Sequence, residues 1–145
     1  MVALPKGEAD IVGVYLTQHY PQKSDAVKAA IIPGPVSVRI KEWMAPTLGQ
    51  RPHDPLAARD GSIWWTGQFA NRLGRLDPKS GALKEYPLDT PDSGPHGLVE
   101  DREGNIWYTG INVQEIGKLD PKSGAVTEYK IPDPAVRGPH TPIIR

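Results

Sequence analysis

The sequence predicts an all-β fold, an incomplete β-propeller of about two four-stranded blades plus partial blades, with a short N-terminal helix. Three observations predict it. Residues 51–93 recur as 94–136 with 19 of 43 positions identical. Each copy holds four short segments of strand character. Turn chemistry separates them, in a chain with 15 glycines and 16 prolines. Self-similarity at this period marks an architecture in which each unit is one supersecondary element. Four antiparallel strands in about 43 residues is the size of one propeller blade.

The chain opens with a different pattern. In "ADIVGVYLTQHY" (9–20), Ile11/Tyr15 and Val12/Leu16 fall at i, i+4 and make an apolar helical stripe. Asp10 is placed to cap its start and Pro21 to end it. A linker follows over 22–35, closed by Pro33-Gly34-Pro35. The organisation read from this is a helix and linker over 1–34, then blades over 35–145. One short helix cannot hold a core by itself, so it docks on the sheet or is the tail of an upstream domain. "PVSVRIKEW" (35–43) reads as an outer strand lacking its three partners.

Within the second repeat the strand segments are "HGLVE" (96–100), "NIWYT" (105–109), "EIGKLD" (115–120) and "VTEYKI" (126–131). Asp60-Gly61 and Glu103-Gly104 suit the first hairpin, because glycine accepts a positive φ at no steric cost. "DPKSG" makes the third connection, with Pro121 presetting φ and Gly124 free to turn left-handed. The Ile-Trp-aromatic runs at 63–65 and 106–108 suit sheets buried on both faces, and packing between blades accounts for these tryptophans better than ligand stacking. "GPHTPIIR" (138–145) enters the innermost strand of a further blade. Propellers close with four to eight blades. Two blades and two stubs therefore read as a fragment of a longer protein, as one of several copies completing a ring, or as a repeat of another architecture. Open blade edges are places for self-association.

Composition excludes several classes of function. Seventeen basic and 17 acidic residues give zero net charge, with no basic stripe for nucleic acid. No apolar run approaches the ~20 residues needed to span a bilayer, so no membrane insertion is expected. Cysteine is absent, which removes thiolate ligands, cysteine nucleophiles and thioether-linked haem. No nucleophile elbow, phosphate loop or His-Glu-x-x-His is present.

The repeat pattern, with "PHG", "G-x-I-W-x-T", "GRLDPKSG" and "EYPL", resembles the virginiamycin B lyase (streptogramin lyase) family over about 36–145. The resemblance implies a seven-bladed propeller and linearisation of a cyclic depsipeptide antibiotic by elimination rather than hydrolysis, an antibiotic-resistance activity. It implies a histidine in a Pro-His motif as the base that takes a proton next to a carbonyl. Magnesium would polarise the carbonyl, held by oxygen ligands, and a threonine oxygen would leave. A glutamate follows the Trp-Phe-Thr run in a blade near the site. His53, His96 and His140 stand in the Pro-His slot and are the positional candidates for the base. Gly67 and Gly110 stand where the glutamate would be. Arg51 and Asp54 flank His53 and are the candidate substrate contacts, although strand alternation would point Asp54 away from it. "IVGVYLTQHYP" is also similar to the last helix of small c-type cytochrome domains, which hints at a periplasmic parent protein, without a haem-binding motif here.

Three histidines at one repeat position also have an architectural explanation, in which each imidazole hydrogen-bonds the backbone of the next blade. A metal site built from these histidines alone would need them closer than neighbouring blades are expected to hold them. His19 reads as a surface residue. Two functions follow: a lyase-like enzyme, with a small-molecule or peptide ligand at the channel mouth, or a non-catalytic binding or scaffold propeller. The isolated chain is not expected to catalyse, because electrostatic preorganisation needs the closed ring.

Overall fold

The computed structural model describes residues 6–20, 33–35 and 37–144. The chain divides into two units, Met1–Ile40 and Lys41–Arg145. In the first unit, α1 spans Lys6–His19. It begins before Asp10, so Asp10 lies within the helix and does not cap it. Its apolar stripe is exposed, with Ile11 71% and Tyr15 53% accessible. Pro21 and the linker over 22–32 lie outside the described residues. Residues 37–43 form no strand, which corrects the expectation of an outer strand at 35–43.

The second unit contains two four-stranded antiparallel sheets. The first runs β1 (Pro52–Ala57), β2 (Ile63–Gly67), β3 (Arg72–Leu76) and β4 (Leu83–Pro87), paired in that order. The second repeats it with β5 (Pro95–Glu100), β6 (Ile106–Gly110), β7 (Glu115–Leu119) and β8 (Val126–Lys130). These are the strands expected from the repeat. Among the described residues the sheets do not close into a barrel, and β5 lies against β1 and β2.

Local chemistry explains the turns. Gly61 and Gly104 take φ of 85° and 89°, and Gly81 and Gly124 take 80° and 77°. In each "DPKSG" the aspartate holds the turn. Asp77 accepts hydrogen bonds from Lys79 N at 2.9 Å and Ser80 Oγ at 2.7 Å. Asp120 accepts from Lys122 N and Ser123 Oγ at the same distances.

The core lies between the sheets. Trp64, Leu73, Tyr86 and Leu88 of the first repeat meet Ile106, Tyr108 and Leu119 of the second. Burying side chains of this size stabilises by roughly 1.5–3 kcal/mol each. Gly74 and Gly117 let an aromatic ring lie flat across the sheet. A Cβ on Gly74 would sit 2.0 Å from the Trp65 ring, and one on Gly117 would sit 2.0 Å from the Tyr108 ring. Two polar ties recur with the repeat. Thr47 Oγ1 donates to Glu85 and Thr90 Oγ1 to Glu128, both at 2.6 Å. Thr66 Oγ1 donates to the His96 carbonyl at 3.1 Å, and Thr109 Oγ1 to the His140 carbonyl at 2.7 Å. The second pair sets each inner segment against the sheet before it. It places residues 140–142 beside Gly97, where a Cβ would meet the His140 carbonyl at 2.3 Å.

Candidate functional site

The three Pro-His histidines converge. The rings of His53 and His96 are 4.2 Å apart between centroids, and those of His96 and His140 are 3.8 Å apart. The inner strands approach closely enough to set the imidazoles in a row, each ring tilted 49° to the next, which corrects the expectation that neighbouring blades hold them too far apart. His96, in the middle, is buried; His53 is half-buried and His140 is exposed.

Asp54 joins them. Its carboxylate lies 3.0 Å from His53 Nδ1 through one oxygen and 3.7 Å from His96 Nδ1 through the other. Simple alternation would send adjacent side chains to opposite faces. Here the register slips: His53 pairs with Thr66, but Leu56 pairs with Trp64, so Asp54 and Pro55 share one opposing residue. This is a β-bulge, and Asp54 adopts φ 28° within it. Pro55 is the one signal for the bulge in the sequence, because a proline inside a strand is confined to its edge, its first residue or a bulge.

The architectural explanation of the histidines does not match their contacts. Among the described residues no imidazole hydrogen-bonds backbone of the next blade; the threonine hydroxyls do that instead. Nδ1 of His53 and of His96 are both buried without a hydrogen-bond partner. The 3.0 Å approach of Asp54 to His53 lies outside hydrogen-bonding geometry. Burial pushes the His96 pKa below its ordinary value, as do the charges His140 and His53 would carry; Asp54 opposes this and Arg51 adds to it. The Arg51 guanidinium lies over the Phe69 ring at 5.0 Å.

At the two positions where the resemblance expects glutamate, an added side chain would be crowded. A Cβ on Gly67 would sit 2.6 Å from Gln50 Oε1 and 3.0 Å from Arg72 Cγ. One on Gly110 would sit 3.0 Å from Val113 Cγ2. Gln50 is itself fixed, accepting from Trp65 Nε1 at 2.8 Å and donating to Glu85 at the same distance. Magnesium asks for oxygen ligands in near-octahedral array. This cluster offers one carboxylate among three imidazoles, so these residues do not fit magnesium.

The model of the virginiamycin B lyase family matches residues 28–144. The chain belongs to this family. Among solved structures it is similar to virginiamycin B lyase from Staphylococcus aureus, at 37% identity and a TM-score of 0.62, covering 66% of this chain and 32% of that one. A streptogramin B lyase structure aligns at 42% identity and a TM-score of 0.62, covering 66% and 31%. A catalytically inactive histidine-to-alanine variant of the S. aureus enzyme with quinupristin aligns at 35% identity and a TM-score of 0.66, covering 71% and 34%. The chain thus spans about a third of the length of the lyases it matches. No curated protein matches closely enough to count as a relative. The blades are propeller-type, as the repeat predicted.

Proposed function

We propose that this chain supplies the histidine-bearing inner strands of a lyase-type propeller, and that the assembled propeller opens a cyclic depsipeptide lactone by elimination. The observation that carries the reading is His96: a buried imidazole whose Nδ1 has no hydrogen-bond partner, between two further imidazoles. A neutral ring nitrogen free of structural duty is what a general base requires. It would take a proton from the carbon next to a carbonyl. The electron pair left behind would form a carbon–carbon double bond as the ester C–O bond on the adjacent carbon breaks. The oxygen leaves with its electron pair as carboxylate, and the proton stays on the imidazole. The inactive histidine variant of the S. aureus enzyme with quinupristin supports a histidine in this role and a type B streptogramin as the ligand class. No step is assigned to magnesium, because the donor set here does not suit it.

A second reading is favoured by Gly67 and Gly110, which carry no carboxylate and where even a Cβ would crowd Gln50 and Val113. On this reading the propeller binds its ligand without transforming it. One pair of measurements tests both. Saturating the folded protein with a type B streptogramin is expected to shift the imidazole resonances of His53, His96 and His140 but not His19; no shift overturns both readings. Elimination leaves the mass of the ligand unchanged while its chromatographic mobility changes, whereas hydrolysis adds a water. Recovery of the intact ring from an assembled, ligand-saturated propeller removes the lyase reading and leaves binding.

A further inference from the structure

Three donor atoms, one each from His53, Asp54 and His96, all lie within 4.8 Å of one another. We propose that these residues form a binding site for a divalent transition-metal cation of the zinc class, with the His140 ring packed at a tilt against His96. The geometry is close to a finished one. Bonds of about 2.0–2.2 Å in a tetrahedral zinc site put neighbouring donors roughly 3.4 Å apart. Asp54 reaches His53 Nδ1 at 3.0 Å through one oxygen and His96 Nδ1 at 3.7 Å through the other, and with one donor atom from each residue the set spans up to 4.8 Å.

The two nitrogens involved are the ones the fold leaves unpaired. Nδ1 of His53 and Nδ1 of His96 are buried and make no hydrogen bond. A coordinated cation would satisfy both at once. The bulge points the same way. It turns Asp54 out of alternation at φ 28° to face the imidazoles. Its equivalent in the next repeat is Gly97, which lies against the His140 backbone. The second repeat has the same bulge but a glycine at this position, so of the two it is the one between His53 and His96 that carries a carboxylate.

The donor set selects the metal. Imidazole nitrogens suit zinc, cobalt, nickel and copper, with affinity rising along the Irving–Williams order, whereas magnesium suits carboxylate and water oxygens. Three protein donors leave a fourth tetrahedral position open to water or a ligand atom. A cation held on His96 Nδ1 occupies the nitrogen that the lyase reading uses as base, so this site rests on the reading in which the propeller binds without transforming.

Cobalt(II) added to the full chain tests it. Expected is one equivalent bound, with visible d–d bands of a low-symmetry nitrogen and oxygen site. Zinc should displace it and millimolar magnesium should not. His53→Gln and Asp54→Asn each remove a direct ligand, so each is expected to weaken cobalt affinity beyond the roughly 10–100-fold loss typical of an outer-sphere partner. His19→Gln should bind as the parent does. His96→Gln changes a buried residue, so its fold is checked by circular dichroism. The first two variants suffice if it fails. In the unmutated chain, zinc should shift the imidazole nitrogen resonances of His53 and His96 and spare His19. Folded protein that leaves cobalt with its aqueous spectrum overturns the proposal, as does binding unchanged in both His53→Gln and Asp54→Asn or lost in His19→Gln.

Discussion

Trp64 and Trp107 occupy the same position in the two repeats, yet Trp64 is 1% exposed and Trp107 is only half-buried. Tyr86 and Tyr129 differ in the same way, at 5% and 45%. On the opposite face the order reverses. Ile106 is 1% exposed where its counterpart Ile63 is 37%, and Tyr108 is buried where Trp65 is half-buried. Each sheet is therefore well buried on the side that meets the other sheet. The comparison teaches that the core of this fold belongs to the space between blades and not to the blade. Identical residues stabilise or idle according to whether a neighbour stands over them.

The largest test of that contrast pairs the two tryptophans. Trp64→Ala is expected to cost about 3–5 kcal/mol in urea denaturation, the usual loss for emptying a large buried side chain. Trp107→Ala is expected to cost less, about 2 kcal/mol, since at a half-buried site it gives up a stacked contact with Tyr129 and the Nε1 hydrogen bond to Asp101 at 2.7 Å. Equal losses would break the comparison. A smaller effect is expected at the glycines beneath the aromatic rings. Gly117→Ala drives a Cβ into the buried Tyr108, whose hydroxyl is tied to Glu128 at 2.7 Å. Its loss should fall at about 1–3 kcal/mol. Gly74→Ala should lie in the lower half of that range, because Trp65 is half-buried, although its Nε1 bond to Gln50 at 2.8 Å resists the shift. A larger loss for Gly74→Ala would show that exposure does not govern the cost.

The smallest effect separates the middle imidazole from the outer ones. Burial holds the His96 pKa below its ordinary 6.5, so the unfolded chain binds its proton more readily. Stability from this group is complete above about pH 6.5 and declines as pH falls from there towards the folded pKa. Denaturation midpoints measured across that window should fall on acidification. The decline should flatten in His96→Gln and persist in His140→Gln. An unchanged slope in His96→Gln would assign the dependence elsewhere.

The strands were legible because the repeat states each signal twice. Alternation in "IWWT" and "IWYT", with glycine at each turn, leaves little freedom in where a strand begins. The histidine row was legible only in part. The Pro-His spacing names its members, but their distances depend on how closely two inner strands stack, and no local pattern encodes that. Alternation, the default for a strand, predicts Asp54 pointing away. The bulge that overrules it needs one unmatched residue, and only Pro55 betrays it. The helix was legible as a helix but not at its start. Lys6–His19 begins ahead of Asp10, the residue that capping preference selects. The extended reading of 35–43 failed because strand-like composition does not supply a partner strand.

Thr66 and Thr109 each reach one carbonyl on the inner segment that follows. A single oxygen thereby gauges the step from one leaf to the next. Since the gauge is copied with the repeat, the imidazoles inherit their interval automatically, and such a chain can grow by whole units with no contact needing retuning.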